Sequence, residues 1–207
     1  MILAIEAAST DPSVAVAAPD GSLLALDGWS ATPRQAHELL PRLMALLAGA
    51  GGSVAQVTAV GVGIGPGSFT GLRVGMSIAK GLAFARGIPI VGVPSLEAWL
   101  AAEPEAPGAV ARAGARDAYL LTREAAEPRI VDREALPRDA GLVAPAELAD
   151  AFELAGTISP VRAAAAVAAE AARRLDADPN GDDLEHLEPR YLRLPRGIPA
   201  TALAEGR

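Results

Sequence analysis

The sequence predicts an α/β fold in two lobes, the second of them reduced. Two observations carry this. Short apolar runs closed by turn residues alternate with amphipathic stretches over residues 1–103, in the order βββαβαβα. A Pro/Gly-rich stretch, "PEAPGA" from Pro104, then breaks the pattern, and residues 104–207 repeat it only in shrunken form.

Taken in order, "MILAIEAAS" is an apolar run with a following turn, read as a buried strand. Asp11-Pro12 marks the turn and "SVAVAA" the second strand. "PDG" at Pro19 to Gly21 is a turn in which Pro presets φ and Gly accepts a positive φ, and "SLLALD" is the third strand. Strands joined this tightly predict an antiparallel meander. Thr32-Pro33 reads as an N-cap with Pro at the first helical position, opening the helix "RQAHELLPRLMALLAGAGG", which ends at glycines. Leu39, Leu40, Leu43, Leu46 and Leu47 share one arc of it, while His37, Glu38, Pro41, Arg42 and Ala45 share the other. Pro41 predicts a kink unless it lies near the first turns. "VTAVGVGIG" is a strand, followed by a Gly-rich loop and a helix from Leu72 to Ala85. "IPIVGVP" is the next strand, and Ser95 caps the helix "LEAWLAAE". This order resembles the ribonuclease H-like unit on which the actin-like ATPases and sugar kinases are built. In the second half "AVARAGARDAYLLTRE" and "PRIVDREAL" read as strands and "APAELADAFE" as a short helix. Ser159-Pro160 opens an Ala-rich helix closed by "PNGDD", and the tail carries Arg190, Arg193 and Arg196.

Composition narrows the function classes. Aromatic residues are only 3% of a chain that is 51% hydrophobic, so the core is built from Ala, Val, Leu and Ile at close backbone separation. A net charge of -7 disfavours unaided binding to nucleic-acid phosphates. The absence of cysteine excludes disulfides, thiol catalysis and thiolate metal sites. His37 and His186 are the only histidines, too few for a His-rich centre, and no metal or other cofactor is expected. Glu6 interrupts the apolar N-terminus too early for a signal peptide or membrane span, so a soluble cytoplasmic protein is expected.

The stretch "GVGIGPGSFTGLRVGMSIAKGLAFARG" carries the chemistry. Gly65, Gly67, Ser68 and Thr70, with Gly71, form a loop between strand and helix that could aim N–H groups at a phosphate, aided by the helix dipole. The loop lacks the Lys-Ser/Thr pair of a Walker A motif, having Leu72-Arg73 there, and it lacks the downstream acid of a dinucleotide site. The alternative is a loop whose glycines permit close backbone packing. In the helix, Gly71, Gly75, Ala79 and Ala83 form a stripe of very small side chains, with Val74, Ile78, Leu82 and Ala85 beside it. Only Arg73, Ser77 and Lys80 face a polar side. A helix this apolar must be covered on two sides. The expectation is that the small stripe meets a second helix, intramolecular or from a partner chain, with the partner preferred.

Five segments, in order, resemble the TsaB (YeaZ) family of bacterial tRNA threonylcarbamoyladenosine biosynthesis proteins. They are "ILAIEAAST", "HELLP", "GIGPGSFTGLRVGMSIAKGLA", "GVPSLEAW" and "LEPRYLR". The resemblance implies a two-lobed actin-like ATPase fold with a reduced second lobe and no working active site of its own. It implies a partner, TsaD, that transfers threonylcarbamoyl to N6 of adenosine 37 in tRNA, and a third component, the ATPase TsaE. It also implies self-association when TsaD is absent, and contact with tRNA only through the complex. His37, Leu40, Gly71, Gly75, Ala79 and Ala83 are then expected in or beside the partner interface. Two departures favour a scaffold over an enzyme: Glu6-Ala7-Ala8 replaces the more usual Asp-Thr of the first strand, and His37 stands alone, with Pro41 one turn on, where TsaD carries a His pair. The alternative reading is an actin-like ATPase or phosphotransferase using the Gly-rich loop; no Ser–His–acid spacing supports a peptidase.

Overall fold

The computed structural model describes residues 1–30 and 35–192, so the expected Thr32-Pro33 helix start and Arg193 and Arg196 lie outside the described residues. The predicted meander forms. β1 (Ile2–Glu6) pairs antiparallel with β2 (Ser13–Ala17), Glu6 opposite Ser13, and β2 pairs antiparallel with β3 (Leu23–Gly28). β4 (Ala59–Gly63) and β5 (Ile90–Val93) extend the other side of β1 in parallel, giving one sheet in the order β3-β2-β1-β4-β5. Parallel neighbours need a crossover. Helix α1 (Gln35–Gly49) precedes β4, α2 (Phe69–Arg86) links β4 to β5, and α3 (Ser95–Ala102) follows. The second sheet is small and antiparallel: β6 (Gly108–Arg112), β7 (Asp117–Thr122) and β8 (Arg129–Asp132), with α4 (Ala146–Phe152) packed on it. The expected α/β fold with a reduced second lobe is therefore present.

The two faces of the first sheet differ in bulk, and that decides which helix covers which. Successive strand residues point to opposite faces. Leu3, Ile5, Val60 and Val62 project to one side, where α1 and α2 cover them with Leu39, Leu43, Leu47, Met76, Ala79 and Ala83. Ile2, Ala4, Ala15 and Ala59 project to the other, against Ala164, Val167, Ala168 and Ala171 of α5 (Ala163–Ala177). Small residues on both surfaces bring α5 so close that a Cβ on Gly61 would meet Val167 at 3.1 Å. The division expected after residue 103 is corrected here. It assigns α5 to the second lobe, whereas the Ala/Val face of α5 completes the first. Sequence order hid this, because the small lobe is inserted between α3 and the helix that returns to the sheet.

Helix α1 runs on through Pro41, which deprives the His37 carbonyl of its helical donor. Leu39, Leu43 and Leu47 are buried and Leu46 is half-buried, but Leu40 is 42% exposed, which removes it from the buried arc expected of it. A residue one position past the buried line is turned about 100° away. The second half is joined to the first through Arg123, whose guanidinium donates to the carbonyls of Leu100, Glu103 and Ala106 at 3.0, 2.7 and 2.7 Å. The cation thus sits at the C-terminal end of α3 and the turn that follows it, where a positive charge is favoured by the helix dipole. Arg123→Ala is expected to cost about 2 kcal/mol, read as a melting temperature lower by about 4–8 °C.

Candidate functional site

The Gly-rich loop between β4 and α2 is held by protein groups. Gly65 N–H donates to Ser95 Oγ at 2.9 Å, and Ser95 N–H returns a bond to the Gly65 carbonyl at 2.9 Å. Ser68 N–H donates to the Ala8 carbonyl at 2.6 Å, and Gly71 N–H donates to Ser68 Oγ at 3.2 Å, so Ser68 caps its own helix. The cap starts α2 at Phe69, earlier than the expected Leu72. The glycines answer to close approach: a Cβ on Gly67 would lie 2.2 Å from the Ala8 carbonyl oxygen, and one on Gly71 would lie 2.0 Å from that of Ala7. Of the residues proposed to cradle phosphate, Gly65 and Ser68 have their amides engaged within the protein, Gly67 is pressed on the β1–β2 turn, and Thr70 is exposed on the first turn of α2.

The small-residue stripe faces inward, which corrects the expectation placed on it. Gly71, Gly75, Ala79 and Ala83 are all buried against the protein's own sheet; a Cβ on Gly75 would sit 3.4 Å from both Ala7 and Ile5. The reason is the bulk of Leu3, Ile5, Val60 and Val62 beneath: a sheet face of branched residues leaves room only for small side chains on a helix lying close to it. Besides Thr70 and Arg86 at its ends, the residues that face solvent on α2 are Arg73, Ser77, Gly81, Phe84 and Ala85, with Val74, Ile78 and Lys80 among the half-exposed. Phe84 is 80% exposed, and nothing lies within 4 Å of where a Gly81 side chain would start. Beside them on α1 stand His37, Leu40 and Pro41, exposed, and Met44, half-buried. Thus His37 and Leu40 lie on the outer face, and the other four residues expected at the interface do not. The polar positions Arg73, Ser77 and Lys80 already marked the outward side in the sequence; at 100° per residue Phe84 falls within their arc and was legible there, whereas Gly81 lies about 40° beyond Ser77.

A border of this face is fixed by the chain that returns after α5. Asp182 bridges to Ile90 and accepts from Gly92 N–H at 2.7 Å, and it is paired with Arg174. Arg190 N–H donates to the Ile64 carbonyl at 2.6 Å. Lys80 Nζ donates to the Glu185 carbonyl at 3.2 Å, and Arg73 Nε donates to Tyr191 Oη at 3.2 Å while its guanidinium stacks on Phe69.

Between the lobes lies a cleft of about 970 Å³, floored by Ala8, Ser9 and Thr10 and rimmed by Phe69, Arg112 and Arg190. Its cations are already paired: Arg112 with Glu147 at 2.7 Å, Arg116 with Glu134 at 3.3 Å and Arg190 with Glu127 at 3.3 Å. Glu6, the acid of the first strand, does not line it. It is 1% exposed, with Oε1 accepting from Ala8 N–H at 2.7 Å and Oε2 turned to Gly63, where a Cβ would meet it at 1.8 Å. Burial pushes its pKa up to about 7, opposed by the Ala8 amide and by the Ser95 hydroxyl and Trp99 indole. Among the described residues no helix is long and apolar enough to cross a membrane.

Comparison with known proteins fits this geometry. The family model of TsaD, tRNA N6-adenosine threonylcarbamoyltransferase, matches residues 30–155. The chain is similar to the Escherichia coli tRNA threonylcarbamoyladenosine biosynthesis protein TsaB, 40% identical over 96 residues, 46% of this chain and 40% of that protein. It is similar in structure to YeaZ from Pseudomonas aeruginosa, with TM-score 0.63 and 26% identity, covering 92% of this chain and 99% of that one. A second Pseudomonas aeruginosa structure, described as an uncharacterized protein with similarity to peptidase YeaZ, gives TM-score 0.68 at 26% identity over 93% of this chain and 99% of its own. The sequence matches span less than half the length of the curated relatives. With the G-P-G-S-F-T-G segment turning into α2 and the sheet order just described, the chain belongs to the tRNA N6-adenosine threonylcarbamoyltransferase family, in its TsaB (YeaZ) group.

Proposed function

We propose that this protein is a non-catalytic scaffold that pairs with TsaD through the outer faces of α1 and α2, and so supports threonylcarbamoyl transfer to N6 of adenosine 37 in tRNA. The observation that carries this reading is the outer face itself. Phe84 stands 80% exposed, Leu40 is 42% exposed, and exposed Gly81 leaves the backbone of α2 bare to an approaching helix. Mid-helix glycine costs about 1 kcal/mol relative to Ala, and no contact among the described residues explains Gly81. The family match covers both helices, so a TsaD partner presents a related pair, and like surfaces meet about an approximate two-fold axis. The same face accounts for self-association when TsaD is absent. TsaE joins as a third component, tRNA is met only through the complex, and the assembly works in the cytoplasm. The sealed Glu6 and the engaged loop amides support the non-catalytic role.

Co-expression of tagged protein with TsaD from the same source tests the pairing. Phe84→Asp and Gly81→Leu are expected to weaken it at least about 30-fold, as loss of a central anchor does, with circular dichroism and melting temperature retained. Full-strength complexes from both variants would overturn the reading. Gly75→Leu is not a probe of the interface, because its side chain points into the protein's own sheet.

A further inference from the structure

The β1–β2 turn carries a set of polar groups that the partner surface does not use. Asp11 is 1% exposed, and its Oδ2 accepts two bonds from the second half of the chain: from Ala146 N–H at 2.9 Å and from Ser159 Oγ at 2.8 Å. Ala146 is the first residue of α4, whose own N-cap position is Pro145 and offers no side-chain bond. Two residues on, Ser13 is fully buried and its Oγ accepts from Ala164 N–H at 3.0 Å. Ala164 lies in the first turn of α5, whose N-cap Arg162 likewise supplies no side-chain bond. The first amides of a helix need an acceptor, normally given by a neighbour in sequence. Here one turn of the first lobe supplies it to both helices from more than a hundred residues away.

The same turn is the floor of the cleft. Beneath it the lobes share a continuous core, in which Ala8, Leu72, Leu96 and Trp99 pack with Ala109, Ala111, Tyr119 and Leu121. We infer that Asp11 is an interlobe lock. It ties α4 and the segment at Ser159 to the first sheet at one separation, so the cleft has a single width and the lobes do not hinge. A carboxylate in this role accepts two hydrogen bonds that exist only in the closed register, and sliding or opening breaks both together with the shared core. The protein is then a rigid platform whose two lobes keep one relation whether or not a ligand is offered. This inference is independent of which partner α1 and α2 meet.

The chain contains no cysteine, so Ala45→Cys on α1 and Asp150→Cys on α4, both exposed, place a unique pair of spin labels on the full-length protein. With the labelled protein diluted in excess unlabelled protein, which removes distances across a self-associated pair, double electron–electron resonance is expected to give one narrow distance population, unchanged by millimolar magnesium ATP. Asp11→Ala is expected to broaden and lengthen it, and to speed amide exchange at Ala146 and Ala164 at least tenfold. Should Asp11→Ala fail to fold, Ser159→Ala removes one of the two donors and is expected to broaden the distribution to a lesser degree. A broad or two-peaked distribution in the protein with Asp11 intact, a shift on adding the nucleotide, or narrow distributions in folded Asp11→Ala or Ser159→Ala would each overturn the lock.

Discussion

Gly71→Ala is expected to destabilise the protein by about 3 kcal/mol, while Gly81→Ala, further along the same helix, is expected to stabilise it by up to about 1 kcal/mol. The opposite signs follow from what each methyl group meets. At Gly71 the new Cβ lies 2.0 Å from the Ala7 carbonyl oxygen and 3.2 Å from the carbon behind it. A backbone carbonyl at the end of β1 cannot turn aside as a long side chain does. Either α2 lifts from the sheet, opening gaps beside Leu3 and Ile5, or the turn shifts and strains the Ser68–Ala8 bond. Both outcomes exceed the gain in helix propensity. At Gly81 nothing lies within 4 Å, so only the propensity gain remains. Urea denaturation of the two variants, with unchanged slopes, checks the pair. Stabilisation by both would mean that α2 rides clear of the turn, and the account of the Gly-rich loop would fall with it. The pair also separates two uses of glycine in one helix. Gly71 is required by the fold, whereas Gly81 is tolerated at a cost to the isolated chain, which is why we assign Gly81 to the partner face.

That separation marks the limit of what periodicity alone reveals. The order of elements through Ala102 was legible because each strand is a short apolar run closed by a turn residue, α1 and α2 stop at glycines, and Pro94 marks the start of α3. The small stripe of α2 was equally visible, but its direction was not. A stripe at i, i+4 states that one side of a helix is small; it does not state whether the surface opposite is bulky. That depends on which face of β1 and β4 carries Leu3, Ile5, Val60 and Val62, and alternation along a fully buried strand leaves the two faces indistinguishable in sequence. The place of α5 was hidden for a related reason: an Ala-rich helix fits any close-packed surface, and only the Ala/Gly face of the first sheet singles one out. The roles of Asp11 and Ser13 had no local signal, since the amides they satisfy lie far along the chain. Glu6 was visible as the lone acid of its strand, but its sealing by Gly63 and Trp99 was not.

Replacement of Glu6 by Gln is expected to make the protein progressively more stable, relative to the unsubstituted chain, as pH rises from about 4.5 to about 7. Burial raises the folded-state pKa from 4.5 to about 7, so between those values the folded protein holds a proton that the unfolded chain has released. Stability from this group is therefore fully present below the unfolded value and is lost as pH rises through the folded one. At about 1.4 kcal/mol per unit, the whole loss is about 3 kcal/mol. Glu6→Gln stays neutral throughout, and its amide keeps an acceptor for Ala8 N–H and a donor toward Ser95. The difference between the two denaturation curves then isolates Glu6 from the exposed Asp183–His186 pair, which is common to both. No cation is among the groups that act on Glu6, and four donors face it: the Ala8 and Ala7 amides, the Ser95 hydroxyl and the Trp99 indole. They hold the pKa near neutrality instead of letting burial carry it higher. An acid so placed is a core group with a cost that grows above neutral pH, not a ligand waiting at the mouth of the cleft. Curves that run parallel from pH 4.5 to 8 would mean that Glu6 is ionised throughout and in contact with solvent or a cation. The cleft would then regain a carboxylate, and the scaffold reading would lose one of its two supports on the catalytic side.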